Sequence, residues 1–286
     1  MNYDYAYHAG NFADVVKHAV MVRVIDYLKR KDKPFRVIDT HAGAGLYDLS
    51  SERAQKTGEW IAGIGRLVGA PLPQEAAHLL APYLACVEKF NPGNELKLYP
   101  GSPEIVRALL RGRDRMTAIE LEPDAAFALR NRFSNDYQTR VIELDGWLAL
   151  GAHVPPKERR GFVVVDPPYE IDNEFERILD GLQKAWKRWP EGIYAFWYPI
   201  KDIPENGRFR NALRTAGIPS ILDATLTIRA PLHFPRLDGS GMIVVNPPYT
   251  LEQELRIILP ALRDILALDD GASWSVEWLA GERPAG

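Results

Sequence analysis

Short apolar runs rich in β-branched residues alternate along the chain with longer segments in which apolar residues recur every three or four positions. Runs of the first kind are typical of buried parallel strands, and segments of the second kind are typical of amphipathic helices. The alternation predicts a single α/β domain with a mostly parallel sheet and helices on both faces. Seven strands are predicted, at 35–39, 116–119, 140–144, 162–165, 193–198, 221–228 and 242–245.

The segment after the first strand is longer than a simple crossover requires. Helical patterns cover 52–68 and 74–90, and the crossover helix itself begins only at Ser102, a predicted N-cap followed by a proline. A crossover in a doubly wound sheet usually needs far fewer residues. We therefore predict an inserted helical subdomain at 47–94, within a domain formed by 1–46 and 95–286.

The chain begins with a polar, tyrosine-rich stretch that leads into the first helix. Asn11 is the predicted N-cap of this helix, Asp14 occupies its third position, and the helical pattern runs to about Arg30. We predict that segment 1–30 forms a lid and a helix beside a functional site. A frayed N-terminus with one or two docked rings is the alternative.

An acidic residue follows each of the first four predicted strands. Because the carboxyl ends of parallel strands share one edge of a sheet, these side chains should lie along the crevice where open α/β sheets bind ligands. A single acid at such a place is often a helix cap, but four along one edge favour a binding site. The acids are Asp39, Glu120, Asp145 and Asp166.

A glycine-rich loop follows the first strand and contains Gly43 and Gly45 in a G-x-G pattern. The third glycine of the dinucleotide fingerprint is missing, so a pyrophosphate cradle is poorly supported. Small residues placed directly after a strand and an acid are typical of a sheet that lets a nucleoside-containing cofactor approach the backbone. A plain strand-to-helix turn is the alternative.

The fourth acid opens the sequence Asp166-Pro167-Pro168-Tyr169. The two prolines lack backbone donors and leave their carbonyls free to accept, while Asp166 adds an acceptor and Tyr169 adds a flat ring. This set suits a planar group that bears an NH2, so these four residues are the predicted catalytic residues. A strand-ending turn is the alternative.

Composition limits the class of protein. The 286-residue chain is 46% hydrophobic and can bury a large core, and no apolar run is long enough to span a membrane. The N-terminus has no signal-peptide pattern, so we expect a cytosolic protein without a membrane partner. A single cysteine, and histidines without zinc-ligand spacing, argue against a metal site. A net charge of −3 does not indicate nucleic-acid binding by itself, although basic residues cluster at 107–115, 157–160 and 184–188.

Several sequence blocks together resemble a known family. D-P-P-Y is similar to the amino-group methyltransferase signature of Rossmann-like enzymes that use S-adenosylmethionine. H-A-G-N at 8–11, joined to D-T-H-A-G-A-G at 39–45, resembles more narrowly the bacterial 23S ribosomal RNA adenine-N6 methyltransferases. Y-P-G-S-P at 99–103 and G-M-I-V-V-N-P-P at 241–248 match as well, so the resemblance covers nearly the whole chain.

The resemblance implies a Rossmann-like class I methyltransferase with an inserted helical subdomain. It implies S-adenosylmethionine as methyl donor, S-adenosylhomocysteine as product, no metal, and 23S ribosomal RNA as the partner of a cytoplasmic enzyme that we expect to be a monomer. Cofactor contacts are expected at His18, His41, Gly43, Gly45, Ser102, Glu120, Asp145, Gly146 and Asp166. Contacts with the RNA are expected at Tyr3, Lys17 and Tyr169.

A second copy of the amino-methyltransferase pattern, Asn246-Pro247-Pro248-Tyr249, follows the seventh predicted strand. In Rossmann-like methyltransferases the fourth strand lies beside the first, whereas the seventh is antiparallel and lies between the fifth and the sixth. The second copy should therefore be a structural turn at the opposite edge of the sheet. We expect Tyr249 to pack there without contact to cofactor or RNA.

Two other functions remain as alternatives. A DNA adenine-N6 methyltransferase usually needs a target-recognition domain, and an insertion at 47–94 is small for reading base edges in a groove. A nucleic-acid-binding module with an inactive site would be favoured by loss of Asp166 or Tyr169, and both residues are present.

Overall fold

The computed structural model describes residues 5–93, 95–230 and 236–281, so Tyr3 lies outside the described residues. The strands are β1 (Arg36–Asp39), β2 (Leu46–Asp48), β3 (Leu98–Pro100), β4 (Arg115–Glu120), β5 (Thr139–Glu143), β6 (Gly161–Val165), β7 (Ile193–Ile200), β8 (Ile221–Thr227), β9 (Gly239–Val245) and β10 (Ser273–Ala280). A short 3-10 helix (Tyr5–Tyr7) precedes the α-helices, which are α1 (Phe12–Lys29), α2 (Glu52–Thr57), α3 (Glu59–Ala62), α4 (Ile64–Leu67), α5 (Gln74–Lys89), α6 (Ser102–Leu109), α7 (Pro123–Arg132), α8 (Gly146–Ala152), α9 (Glu174–Arg188), α10 (Ile203–Thr215) and α11 (Leu251–Leu266).

Eight strands form one mixed sheet in the order β10-β8-β9-β7-β6-β1-β4-β5. The pairs from β7 to β5 are parallel, β9 is antiparallel to both of its neighbours, and β10 is antiparallel to β8. Val164 of the fully buried β6 packs in one hydrophobic cluster, and Val163 and Val165 pack in another, because successive side chains point to opposite faces. The structure thus confirms the predicted mostly parallel α/β sheet.

The sheet order decides which residues share an edge. β1 lies between β4 and β6, and Asp39 is in register with Ala118 and Val164. Asp166 and Glu120 therefore lie close to Asp39 at the carboxyl edge of the parallel strands. β9 runs in the opposite direction between β7 and β8, as predicted, so that its last residue, Val245, lies at the other edge beside Tyr194.

The predicted helix at 52–68 is wrong, because this segment forms the three short helices α2, α3 and α4. Gly58 ends α2 in the left-handed conformation, with φ at 61°. Gly63 separates α3 from α4 and packs so closely on the N-terminal segment that a Cβ would lie 2.2 Å from the carbonyl oxygen of Gly10. Glycine is required there because any side chain would clash with backbone.

Other differences concern short or amphipathic elements. The sheet has eight strands in place of the predicted seven, because β10 has only two buried residues, Val276 and Leu279, and lacks a continuous apolar run. β2 and β3 form a separate antiparallel pair at the base of segment 47–94, whose role as a subdomain stays a prediction. α6 begins at Ser102 with Gly101 as its N-cap, one residue before the predicted cap. Within the three described ranges, no helix is long and apolar enough to cross a membrane.

Candidate active site

A cavity of about 200 Å³ opens at the carboxyl edge of the parallel strands, beside the N-terminus of α1. Seven of the predicted catalytic, cofactor-binding or substrate-binding residues lie in its wall. Sites for small ligands usually measure roughly 300–1,000 Å³, so this cavity falls below the lower end of that range. The predicted residues in the wall are Lys17, His18, His41, Ser102, Asp166, Pro168 and Tyr169.

Lys17 joins two carboxylates at the centre of this wall. Its ammonium group lies 2.6 Å from a carboxylate oxygen of Asp14, one turn away in α1, and forms an ion pair with Asp166 at the end of β6. Burial alone would lower the pKa of Lys17, but the two carboxylates raise it above its usual value, so Lys17 stays charged. Burial raises the pKa of Asp166 more than the Lys17 charge lowers it.

The residues that follow Asp166 form a rigid corner. Pro167 is buried, and Tyr169 adopts a positive φ of 53°, which turns the chain sharply after the two prolines. The Tyr169 hydroxyl donates to the carbonyl oxygen of Trp197 at 2.9 Å, and its ring meets Trp197 edge to face at 5.5 Å. The ring is therefore fixed where it lines the cavity.

His18 carries a polar atom that the protein does not satisfy. Its Nδ1 lies 2.7 Å from the Tyr99 hydroxyl, which in turn lies 2.8 Å from the hydroxyl of Tyr83. Burial lowers the pKa of His18 to about 3, so its ring is neutral. Its Nε2 has no hydrogen-bond partner among the described residues. An unsatisfied buried nitrogen in a cavity wall fits a polar ligand group, such as the amino-acid end of S-adenosylmethionine.

Glu120 ties the end of β4 to the glycine-rich loop. One of its carboxylate oxygens accepts from the backbone N–H of Gly43 at 2.7 Å, and the other accepts from the N–H of Glu122 at 2.8 Å. Gly43 and Gly45 both have positive φ, at 62° and 88°. A Cβ on Gly43 would lie 2.1 Å from the Tyr47 hydroxyl, so only glycine fits this corner. Each Glu120 oxygen keeps acceptor capacity, which fits ribose hydroxyls.

The third strand-end acid, Asp145, is the N-cap of α8. Its side chain accepts from the backbone N–H of Trp147 at 2.7 Å. A Cβ on Gly146 would lie 2.3 Å from the Thr40 carbonyl oxygen and 2.8 Å from the His41 ring, so this glycine lets α8 approach the loop after β1. Burial lowers the pKa of His41 to about 3. The cavity wall does not include Asp145, Gly146, Glu120, Gly43 or Gly45, and their contacts with a cofactor stay predictions.

The N-terminal block H-A-G-N is held by a residue that the sequence did not single out. Glu59, in α3, lies 3.0 Å from Nδ1 of His8 and accepts from the side-chain amide of Asn11 at 3.0 Å. The Asn11 side chain also caps α1 by accepting from Asp14 N–H, as predicted. Glu59 thus links α3 to the residues that begin α1. The predicted role of Tyr3 and the lid function of segment 1–30 stay predictions.

Several cavity residues were missed by sequence reasoning. Trp197 and Lys201 belong to the end of β7 and its following turn, where the strand-end rule could have found them. Glu59 and Tyr47 come from the region of the insertion and carry no local signal. Within the described parts of the chain, no group of three or more His, Cys, Asp or Glu side chains is placed to hold a metal ion.

The second copy of the motif lies at the opposite edge of the sheet, as predicted. Asn246 has a positive φ of 52°, and its side-chain amide donates to the carbonyl oxygens of Pro190 at 2.7 Å and Gly192 at 2.8 Å. It is a structural turn. The predicted packing of Tyr249 is wrong, because the side chain is 79% exposed and touches only the edge of the Tyr27 ring, at 5.7 Å, among the described aromatic rings.

Comparison with known proteins places this geometry in a family. Residues 32–280 match the family described as ribosomal RNA large subunit methyltransferase D, RlmJ. The chain is 40% identical over 284 residues to ribosomal RNA large subunit methyltransferase J of Haemophilus influenzae, covering 99% of this chain and 100% of that protein. It is 41% identical over 283 residues to the Escherichia coli protein of the same name, with the same coverage.

A solved structure shows the same fold. The crystal structure of a protein from Legionella pneumophila superposes with a TM-score of 0.85 at 30% identity, covering 95% of this chain and 98% of that one. The strand order and this likeness confirm the predicted Rossmann-like methyltransferase fold. From its sequence matches, the chain belongs to the RlmJ family of ribosomal RNA large subunit methyltransferases.

Proposed function

We propose that the protein transfers a methyl group from S-adenosylmethionine to the exocyclic N6 of a specific flipped-out adenine in 23S ribosomal RNA. The observation that carries the proposal is the position of Asp166-Pro167-Pro168-Tyr169. This sequence stands at the carboxyl end of β6, beside β1, and Asp166, Pro168 and Tyr169 lie in the wall of the cavity that Lys17 and His18 also line. The names of the relatives support a ribosomal RNA substrate.

The adenine N6 is a weak nucleophile because its lone pair is delocalised into the ring. Asp166 and the carbonyl of Pro167, accepting from the two N–H groups, would localise that pair and aim it at the methyl group. Bound S-adenosylmethionine supplies an electrophilic methyl group on sulfur. After transfer the nitrogen becomes acidic and loses one proton through Asp166 or to water, so no strong base is required.

Lys17 holds one oxygen of the Asp166 carboxylate. The cation lies next to Oδ2 of Asp166, whereas Oδ1 accepts no hydrogen bond in the described part of the chain. One oxygen of the carboxylate is thus held in place and the other is available to the substrate amine. Because N6 is paired and stacked in duplex RNA, the base must be extruded, and the fixed ring of Tyr169 offers a stacking surface worth about 1–3 kcal/mol.

The predicted cofactor residues divide into two groups in this proposal. His18, His41 and Ser102 line the cavity and would contact the cofactor directly. Glu120 would bind the ribose hydroxyls and hold the glycine-rich loop, while Asp145 and Gly146 would shape the base pocket beside His41. The proposal includes a monomeric enzyme that acts in the cytoplasm.

The test is methylation of transcribed 23S ribosomal RNA with methyl-labelled S-adenosylmethionine, followed by digestion and mass spectrometry of the nucleosides. We expect label in N6-methyladenosine at one position, and we expect that position to lack the mark in cells without the gene. Label in a different nucleoside, or transfer to a duplex DNA of the same sequence at an equal rate, would contradict the proposal.

A further inference from the structure

Three loops that are far apart in the sequence meet at the edge of the sheet opposite the cavity. They precede β1, β4 and β6, at 29–33, 111–115 and 157–160, and together we name them the basic edge. They contain ten Lys or Arg residues and three acids, a net charge of +7 in a chain whose net charge is −3. The rest of the chain is therefore acidic, and positive charge is concentrated at this edge.

Arginine side chains join the loops. The Arg111 guanidinium donates to the carbonyl oxygens of Lys29 at 3.1 Å, Lys31 at 2.9 Å and Lys33 at 3.1 Å. Arg160 donates to the Lys33 carbonyl at 2.9 Å. Carbonyl groups do not neutralise a guanidinium charge, so these contacts fix the loops while their positive field persists.

The three acids of the basic edge are already paired. Asp114 binds Arg111 at 2.8 Å, and Asp32 binds Arg113 at 2.6 Å. Glu158 binds Arg36, a strand residue outside the loops, at 2.9 Å. Within the described ranges, four exposed cations of the edge have no carboxylate partner: Lys31, Lys33, Lys157 and Arg159.

Two exposed tyrosines lie near other arginines of the basic edge. Tyr249 is 79% exposed and touches Tyr27, whose ring lies 5.5 Å from the guanidinium of Arg30. Tyr137 is 72% exposed, and the Arg115 guanidinium lies 5.3 Å from its ring. Arg30 is itself paired with Glu254 at 3.2 Å, whereas Arg115 has no carboxylate partner within the described ranges. Exposed rings beside cations are a combination by which proteins bind single-stranded nucleic acid, with bases stacked on the rings and phosphates on the cations.

We propose that the basic edge is a second RNA-docking surface, which binds the sugar–phosphate backbone of the ribosomal RNA at a distance from the target adenine. Tyr249 and Tyr137 stack on unpaired bases of the same segment, which replaces the expectation that Tyr249 makes no contact with RNA. The inference rests on the proposed function for the identity of the RNA. Because the five residues of β6 span roughly 17 Å at about 3.3 Å each, an RNA that reaches both edges extends well beyond the flipped nucleotide.

The test compares two variants with the same loss of charge. The edge variant carries Lys31→Gln, Lys33→Gln, Lys157→Gln and Arg159→Gln, and the control carries Lys89→Gln, Lys97→Gln, Lys184→Gln and Lys187→Gln at exposed positions elsewhere. We expect the edge variant to bind transcribed 23S ribosomal RNA at least tenfold more weakly. Its slope of log K against log salt should be smaller by roughly 3, since each phosphate contact contributes about 0.7–0.9. The control should stay within about twofold of wild type.

Methyl-transfer kinetics distinguish an effect on RNA binding from an effect on the chemical step. The edge variant should show a higher KM for long RNA, with kcat at saturating RNA and affinity for S-adenosylmethionine within about twofold of wild type. The pair Tyr137→Ala and Tyr249→Ala should weaken RNA binding without changing the salt slope.

Three outcomes would overturn the inference. The first is an RNA affinity and a salt slope that are unchanged in the edge variant. The second is a loss of RNA affinity in the control that equals the loss in the edge variant. The third is wild-type binding to phosphatidylserine vesicles that is as tight as binding to RNA and is weakened only in the edge variant. The binding experiment does not depend on methyl transfer. A wild-type protein that binds RNA through this edge but methylates no adenine would therefore disprove only the proposed function.

Discussion

The ammonium group of Lys17 forms an ion pair with the carboxylate of Asp166, 149 residues further along the chain. The residue predicted to receive the substrate amine is thus held by a buried cation from the first helix. Asp14, on the same helix, is the second partner of Lys17, so three charged groups share one site. Each of them is costly to bury unless the other two are present.

Replacing Asp166 tests the catalytic role of the D-P-P-Y corner. We expect Asp166→Ala to reduce methyl transfer to background, because the amine loses its orienting acceptor, while cofactor binding survives at least in part. Single-turnover kinetics with saturating RNA and a separate cofactor titration measure the two effects. Normal single-turnover rates would falsify the assignment.

Replacing Lys17 tests the charge cluster. Lys17→Met leaves the largely buried carboxylates of Asp14 and Asp166 without their cation, and we expect the free energy of unfolding to fall by about 3 kcal/mol. The double variant Lys17→Met and Asp166→Asn should recover part of this loss, since only one buried carboxylate remains. Denaturant titrations of both variants give the free energies of unfolding. If Lys17→Met is as stable as wild type, the ion pairs of Lys17 do not contribute strongly to stability.

Glu120 and Asp145 are predicted to face the nucleoside of the cofactor. Glu120→Ala and Asp145→Ala should weaken binding of S-adenosylmethionine far more than binding of RNA. Glu120→Gln should also weaken it, because the amide N–H2 would oppose the backbone N–H of Gly43 or of Glu122. Calorimetry gives the cofactor affinity, and anisotropy of labelled RNA is the control. Normal cofactor affinity in both alanine variants would remove these acids from the site.

The second motif supplies a matched control for the first. Asn246→Ala removes two hydrogen bonds to the carbonyls of Pro190 and Gly192 and should cost roughly 1–3 kcal/mol of stability. At saturating RNA the folded variant should keep its rate within about threefold of wild type, or roughly 0.7 kcal/mol in barrier. A folded variant that binds cofactor yet is as inactive as Asp166→Ala would mean that the two motifs exchange roles.

Asp39 should make stability depend on pH. Burial raises the pKa of its carboxyl to about 7 in the folded protein, whereas an aspartate in an unfolded chain titrates near 3.9. Between these values the folded state holds a proton that the unfolded state has lost, so this group makes the free energy of unfolding fall as pH rises. Asp39→Asn removes the titration and should flatten the decline between about pH 4 and about pH 7. Asp270→Asn, at an exposed position, is the control, and parallel curves for wild type and Asp39→Asn would contradict the assignment.

The sequence by itself determined the elements whose signals are local. β6 is a run of β-branched residues that stops at two prolines, and α1 begins at an asparagine whose side chain caps it. Such features depend on near neighbours in the chain, so strand ends, the D-P-P-Y corner and the family resemblance could be recognised without coordinates. The weakly patterned β10 and the three short helices in 52–68 could not, because packing rather than local preference fixes them.

The tertiary structure alone decided which distant side chains meet. The pairs Lys17–Asp166 and His8–Glu59 join segments that carry no local sign of each other. The basic edge likewise forms because β1, β4 and β6 run parallel in adjacent places, so that the loops before them converge. Because β9 is antiparallel, Asn246-Pro247-Pro248-Tyr249 lies at the same edge of the sheet as the basic edge. The exposure of Tyr249 depends on packing around it and could not be predicted from the sequence. Charge pairing and exposure depend on distances through space, and only the strand order of the folded sheet sets those distances.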